Sequence, residues 1–245
     1  SVLDPLETLT FTAARTRRVA LGTSVLNLPW YNPVLLARQL TTLDVLSAGR
    51  LRVGFGMGWS PDEYEAAGTA WQERGKRADE LLPALKKIWT TDPVEFQGKY
   101  YRIPKSIIDP KPVQKPHPPI YMAAYTPSAM KRVATEANGW FPVGIPLSGI
   151  GGMFEGIKAM SKEAGRNSSA LELIVRANIE IHSAAIEKDR VDFTGTLGQI
   201  AEDIKTTQKL GAAEIVLDVQ FSPGVETASD IVARMEQLWR VVKSA

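Results

Sequence analysis

The chain contains no cysteine and only two histidines among its 245 residues. Disulfides and cysteine-ligated metals are thereby excluded, while the compartment stays open, because a cytosolic protein needs no cysteine. It has no run of five or six like charges, and a formal net charge of +2 gives no electrostatic footprint for nucleic acid. No apolar stretch reaches the ~18 residues of a membrane span, and the first residues lack a charged segment followed by an apolar one. The expectation is a soluble, cytoplasmic protein. GxSxG elbows, Walker loops and metal-ligand spacings of His, Asp and Glu are absent, as are short repeats. What is present, at 44% hydrophobic residues, is enough to bury a sizeable core, with a single domain over 1–245 as the default.

The strongest local signal runs from Arg18 to Trp59. An apolar run from Val19 to Leu28 precedes a helical run from Pro33 to Leu46, opened by Asn32 as N-cap and Pro33 as first helical residue. A second strand-like run, Leu51 to Met57, closes a βαβ unit whose ligand-binding loops fall at the strand ends, Asn27 to Tyr31 and Gly58 to Asp62. Ahead of it, Asp4 to Thr16 reads as a helix. Behind it come helices Glu63 to Ala67 and Gln72 to Trp89, then a small hairpin around Gln97, Gly98 and Lys99. Asp109 to Pro119 holds five prolines and is read as an extended connector over the surface, with His117 a surface residue. Strands then begin near Ile120, Trp140, Leu171 and Glu214, alternating with helices Pro127 to Glu136, Ile150 to Lys162, Leu197 to Leu210 and Ala228 to Lys243. Alternation of this kind means a parallel α/β sheet and favours a barrel.

The order GTSV, YNPVLLARQLTTLDVLSAGRL and GFGMGWSPDEYEAAG, continued by DPVEFQGKYYRI, PKPVQKPHPPIYMAAYTPSAMKRVATEANGWFP and DFTGTLGQIAEDI, resembles the luciferase-like monooxygenase superfamily. It is most similar to the branch using the deazaflavin coenzyme F420. The resemblance implies an α/β (β/α)8 TIM barrel, here a single domain with an insertion at about 60–118. Only six strands are found where eight are required, and the chain opens on a helix. The resemblance thus implies that the first two βα units are missing at the N-terminus. With them would go the family's cofactor-facing acid and proton-transferring histidine, so no catalytic residue is assigned. It further implies a homodimer, with the apolar faces of the helices near Leu6 and Leu36 as candidate contacts.

Position by position, Ser24 and Val25 match a non-proline cis peptide that relatives carry beneath the deazaflavin ring, the alternative being an ordinary trans strand end. Asn27 is placed to bond the ring's polar edge or to form a turn. Met57 and Gly58 end the next strand, where glycine lets backbone approach a ligand or merely permits the exit into Ser60 and Pro61. Asp62 matches a polar cofactor contact and equally complements a helix dipole. Trp59 stands where sugar-phosphate dehydrogenases of the superfamily hold a proton-donating Glu. An indole cannot donate in that way, so Trp59 is expected to pack on cofactor or wall the substrate pocket.

Tyr125, Thr126, Ser128 and Ala129 surround a helix start at Pro127 and are the phosphate candidate, with Thr126 as simple N-cap the alternative. Relatives usually show two glycines at Tyr125 and Thr126. Arg176, Asn178, His182, Asp218 and Gln220 are candidate substrate contacts by their position at strand ends, Arg176 and His182 foremost. The functional expectation is hydride transfer between reduced coenzyme F420 and a small organic substrate. Alternatives are an FMN-dependent monooxygenase using O2 and a non-catalytic flavin-binding protein. A metal, nucleic acid or membrane partner is not expected.

Overall fold

The computed structural model describes residues 3–220 and 222–244, with only the backbone of Ser244. They divide into two compact units, 1–138 and 139–245.

In the first unit, helix α1 (Pro5–Arg15) starts where Asp4 Oδ1 accepts the amides of Leu6 and Glu7, both at 2.9 Å. The expected strand from Val19 to Leu28 is two short strands, β1 (Leu21–Gly22) and β2 (Leu26–Asn27). Between them the Ser24–Val25 peptide bond is cis. Across this interruption a side chain takes over the ladder: Thr23 Oγ1 donates to the Gly54 carbonyl at 2.8 Å and accepts the Gly54 amide at 2.9 Å. Helix α2 (Pro33–Leu46) is capped by Asn32 as expected.

Strand β3 (Leu51–Gly56) is the centre of this unit's sheet. It pairs in parallel with β1 (Leu21 opposite Leu51), with β2 (Asn27 opposite Gly56) and with β6 (Ile120–Met122; Phe55 opposite Met122). Leu51, Val53 and Phe55, which share one face of β3, are fully buried.

Between β3 and β6 lie α3 (Pro61–Ala66), α4 (Arg74–Thr90) and an antiparallel hairpin of β4 (Val94–Gln97) and β5 (Arg102–Ser106). Leu36 and Leu40 of α2 are buried, as are Leu81, Leu82 and Leu85 of α4; each such leucine stabilises the unit by about 1.5–3 kcal/mol. Glu80 holds the hairpin turn to α4, accepting the amides of Lys99, Tyr100 and Tyr101 at 2.9, 2.8 and 3.3 Å. The connector is anchored rather than draped: buried Asp44 accepts the Gln114 amide at 3.1 Å and its side-chain Nε2 at 2.7 Å. His117 is half-buried, its ring 5.7 Å from that of Trp89, which corrects the surface assignment. Helix α5 (Pro127–Glu136) ends the unit, with buried Arg132 2.7 Å from Asp79.

In the second unit, β8 (Glu172–Asn178) pairs in parallel with β7 (Gly139–Trp140) and β11 (Glu214–Asp218). The expected strand from Leu171 to Ile181 changes partners at Ile179, and β9 (Glu180–Ile181) pairs instead with β10 (Thr194–Gly195). Helix α6 (Leu147–Glu163) begins three residues earlier than Ile150, because Asp192 Oδ2 accepts the Leu147 amide at 2.7 Å and supplies the cap Pro146 lacks. Helix α7 (Leu197–Lys209) opens on a Thr196/Gln199 capping box, and α8 (Ala228–Ser244) closes the chain. All six expected sheet strands are present, in parallel ladders: the α/β class holds. No helix among the described residues is long and apolar enough to cross a membrane.

Candidate functional site

Because β2, β3 and β6 run parallel and in register, their C-terminal ends lie side by side in the first unit. Asn27, the segment Met57 to Asp62, and Tyr125 to Ala129 therefore meet at one end of the sheet, where parallel α/β folds place ligand sites.

Two glycines shape this end. A Cβ on Gly56 would stand 2.5 Å from Val25 Cγ2, so the β3 backbone must be bare for Val25 to pack there. Gly58 has φ +66°, and a Cβ on it would stand 3.2 Å from Tyr64 Cε2 and 3.3 Å from Asn27 Cγ. Tyr64 and Asn27 thus close the side of Gly58 on which a side chain would stand.

Tyr64, which no motif of the sequence singles out, organises the loop. It is fully buried, and its hydroxyl donates to the Met57 carbonyl at 2.5 Å. Burial pushes its phenol up to about 12. Its ring meets Trp30 edge-on at 5.8 Å and Trp71 at 5.0 Å, and Arg74 stacks 3.5 Å over Trp71. Trp30 Nε1 is buried with no hydrogen-bond partner among the described residues. The available signal was an aromatic residue one turn after the Ser60 cap, on the helix face turned inward.

Around this base the remaining candidates are open. Trp59 is 84% exposed and Tyr125 50%. Ser60 caps α3 by accepting the Glu63 amide at 3.4 Å, which leaves Asp62 exposed in that helix's first turn. Thr126 Oγ1 accepts the Ala129 amide at 3.3 Å and lies 3.2 Å from Ser128 Oγ. Its N-cap role is therefore real, and both exposed hydroxyls stand at the positive end of a 10-residue helix.

The second-unit candidates are arranged differently. Arg176 is engaged by Asp218, its Nε 3.1 Å from Oδ2, and borders a cavity with Asn178. His182 lines another, open groove with Arg234 and Arg240, its Nε2 3.7 Å from Glu180. The Gln220 amide donates to Asp218 Oδ1 at 2.9 Å. No cluster of His, Asp and Glu fit for a metal occurs among the described residues.

A sheet of parallel strands with a ligand-shaped C-terminal end defines a broad class of α/β enzymes, and sequence comparison narrows it. The chain belongs to the luciferase-like monooxygenase family, whose model matches residues 1–218. It is 34% identical over 167 residues to an FMNH2-dependent dimethylsulfone monooxygenase of Pseudomonas putida, covering 67% of this chain and 45% of that protein. It spans, then, less than half of that relative's length. Among solved structures, a Streptomyces bottropensis monooxygenase superposes with TM-score 0.80 at 25% identity, over 96% of this chain and 80% of that one. An F420-dependent secondary alcohol dehydrogenase, solved with an F420–acetone adduct, gives TM-score 0.80 at 17% identity, over 97% and 85%. The chain has the luciferase-like TIM-barrel fold, in part, and belongs to a family of oxidoreductases and monooxygenases.

Proposed function

We propose that this chain is the cofactor-holding part of an oxidoreductase that binds a flavin-type ring at the β2/β3/β6 end and acts on a small organic substrate. The observation that carries the reading is the meeting of Asn27, bare Gly58 and exposed Trp59 beside the Thr126-capped helix, in a member of this family. The residues present fit such a group. Asn27 lies against Gly58, whose positive φ turns the backbone out of the sheet, an aromatic face of Trp59 lies open, and the buried indole N–H of Trp30, whose ring meets that of Tyr64, has no partner among the described residues.

When bound, the cofactor supplies the redox chemistry. The chain's own residues orient and shelter it: Asn27 hydrogen-bonds the ring's polar edge, and the Met57–Gly58 backbone, held by Tyr64, keeps the floor in place. Trp59 covers the ring and excludes water. Thr126, Ser128 and the first amides of α5 take a phosphate. Trp59 offers no acidic proton, which argues against sugar-phosphate dehydrogenation.

Coenzyme F420 is our first reading, from the resemblance of the motifs. Reduced FMN with O2 is the second, favoured by the FMNH2-dependent relative at 34% identity. Titrating the protein with F420 and with FMN, each followed by fluorescence, separates them: tighter F420 binding and substrate-dependent consumption of its reduced form support the first. Binding of either without turnover across a substrate panel identifies a carrier, and binding of neither rejects the proposal.

A homodimer belongs to the same proposal. Leu6 and Leu36 are 7% and 0% exposed and are unavailable for it, whereas Phe11, Leu35 and Leu46 are open. A monomer mass by light scattering at micromolar concentration rejects the dimer.

A further inference from the structure

The second unit contains a cavity of about 540 Å³, within the range of small-molecule sites. Val143 and Ile145 line it from the loop after β7, and Val191 and Phe193 from the loop before β10. These apolar side chains share the wall with Arg176, Glu180, Arg190 and Asp192, and the question is what charge an occupant can carry.

Both cations at the cavity are already matched. Arg176 is paired with Asp218. Arg190 forms a two-point bridge to Asp203, each contact 2.7 Å, and Asp203 also accepts the Phe193 amide at 2.7 Å. Two further carboxylates border the space, Asp192 turned to the Leu147 amide and Glu180 3.7 Å from His182. Asp218 and Asp203 are partners of the two lining guanidiniums rather than part of the wall, so four carboxylates stand near two guanidiniums and an anion entering would have to displace a partner already in place. A cation would lose its hydration beside two guanidiniums, with three of the four carboxylates already hydrogen-bonded. The uncharged groups at the cavity, the Asn178 amide and the Ser148 hydroxyl, are exposed and suited to a neutral acceptor.

We infer that this cavity binds an uncharged organic molecule with an apolar body and a carbonyl-like acceptor, and discriminates against the matching anion. Calling that molecule the substrate rests on the proposed function. Its binding does not, and is measured without cofactor, so a failure of the flavin reading leaves the result readable.

The probes are three near-isosteres, acetophenone, benzoate and benzylamine, followed by amide shifts of residues 143–145, 147–148 and 190–194. Acetophenone is expected to bind tightest, and Ile145→Trp, which fills the space, is expected to abolish its shifts. Asp218→Asn, which leaves Arg176 without its carboxylate, is expected to strengthen benzoate binding at least about tenfold and to change acetophenone much less. Should that variant not fold, Arg176→Gln is expected to weaken benzoate further and to change acetophenone much less. Benzoate or benzylamine binding as tightly as acetophenone to the unaltered protein overturns the inference. So does acetophenone binding that survives Ile145→Trp, or no binding of any probe at millimolar concentration.

Discussion

The Tyr64 hydroxyl donates to the Met57 carbonyl at 2.5 Å, tying the first turn of α3 to the end of β3. Gly58 and Trp59 follow Met57 directly, so this bond sets the direction in which the candidate site's backbone leaves the sheet.

Tyr64→Phe keeps the ring and removes the bond. Stability is expected to fall by about 1 kcal/mol in denaturant unfolding, and cofactor affinity by roughly three- to tenfold, on the scale of one hydrogen bond. Burial raises the phenol to about 12 and also raises Tyr31 and Tyr101, so an ultraviolet pH titration should show one fewer tyrosine ionising above the ordinary phenol range in the variant than in the native protein. A high-pH step of unchanged size in Tyr64→Phe assigns it to the other two.

Gly56→Ala would place a Cβ 2.5 Å from Val25 Cγ2. Overpacking of this kind costs about 1–3 kcal/mol. Val25→Ala removes the clashing methyl, so the double variant should recover much of the loss. Additive losses in the double-mutant cycle would show that the two residues do not meet.

Thr126→Ala with Ser128→Ala tests the anion site. Loss of the cap lowers stability by roughly 0.5–2 kcal/mol. If a phosphate is held there, cofactor affinity should drop by roughly ten- to a thousandfold, with much less effect on a ring analogue lacking phosphate. Equal loss for both ligands would indicate damage to the ring pocket. No loss for either would move the phosphate elsewhere.

His117 gives a pH test. Burial against Trp89 holds its imidazole below the ordinary value of 6.5. As pH falls below that value the unfolded chain takes up the proton before the folded one, so the folded state loses stability on acidification and keeps it above. The slope contributed by one such group is at most about 1.4 kcal/mol per pH unit. The thermal midpoint of His117→Asn should therefore fall less between neutral and mildly acidic pH than that of the unaltered protein. Parallel curves would mean that His117 titrates alike in both states.

Glu80→Ala strips the hairpin turn of the carboxylate that accepts three backbone amides. With charge-assisted bonds worth about 1.5–3 kcal/mol, faster amide exchange confined to Lys99, Tyr100 and Tyr101 is the expected outcome. Unchanged protection would show that the turn holds itself.

The sequence alone determined the elements whose causes are local. Asn32 before Pro33 caps the helix it was expected to cap, Thr126 before Pro127 fills the cap role read as its alternative, and the helix expected from Asp4 starts at Pro5 with Asp4 as its cap, because an N-cap bond spans only two or three residues. Parallel strands followed from their alternation with helices, and the family from motifs spread along the chain. Tertiary structure decided the rest. Thr23 bridging to Gly54, Val25 pressing on Gly56 and Tyr64 closing on Met57 join separate elements or opposite ends of a loop, and no periodicity encodes them. Arg176 and Asp218 make the same point: each was legible as a strand-end polar residue, but only the β8–β11 register, with Arg176 opposite Val216 and Asn178 opposite Asp218, brought their charges together. Charge in a sequence is a sum, whereas charge in a cavity depends on which carboxylate reaches which guanidinium.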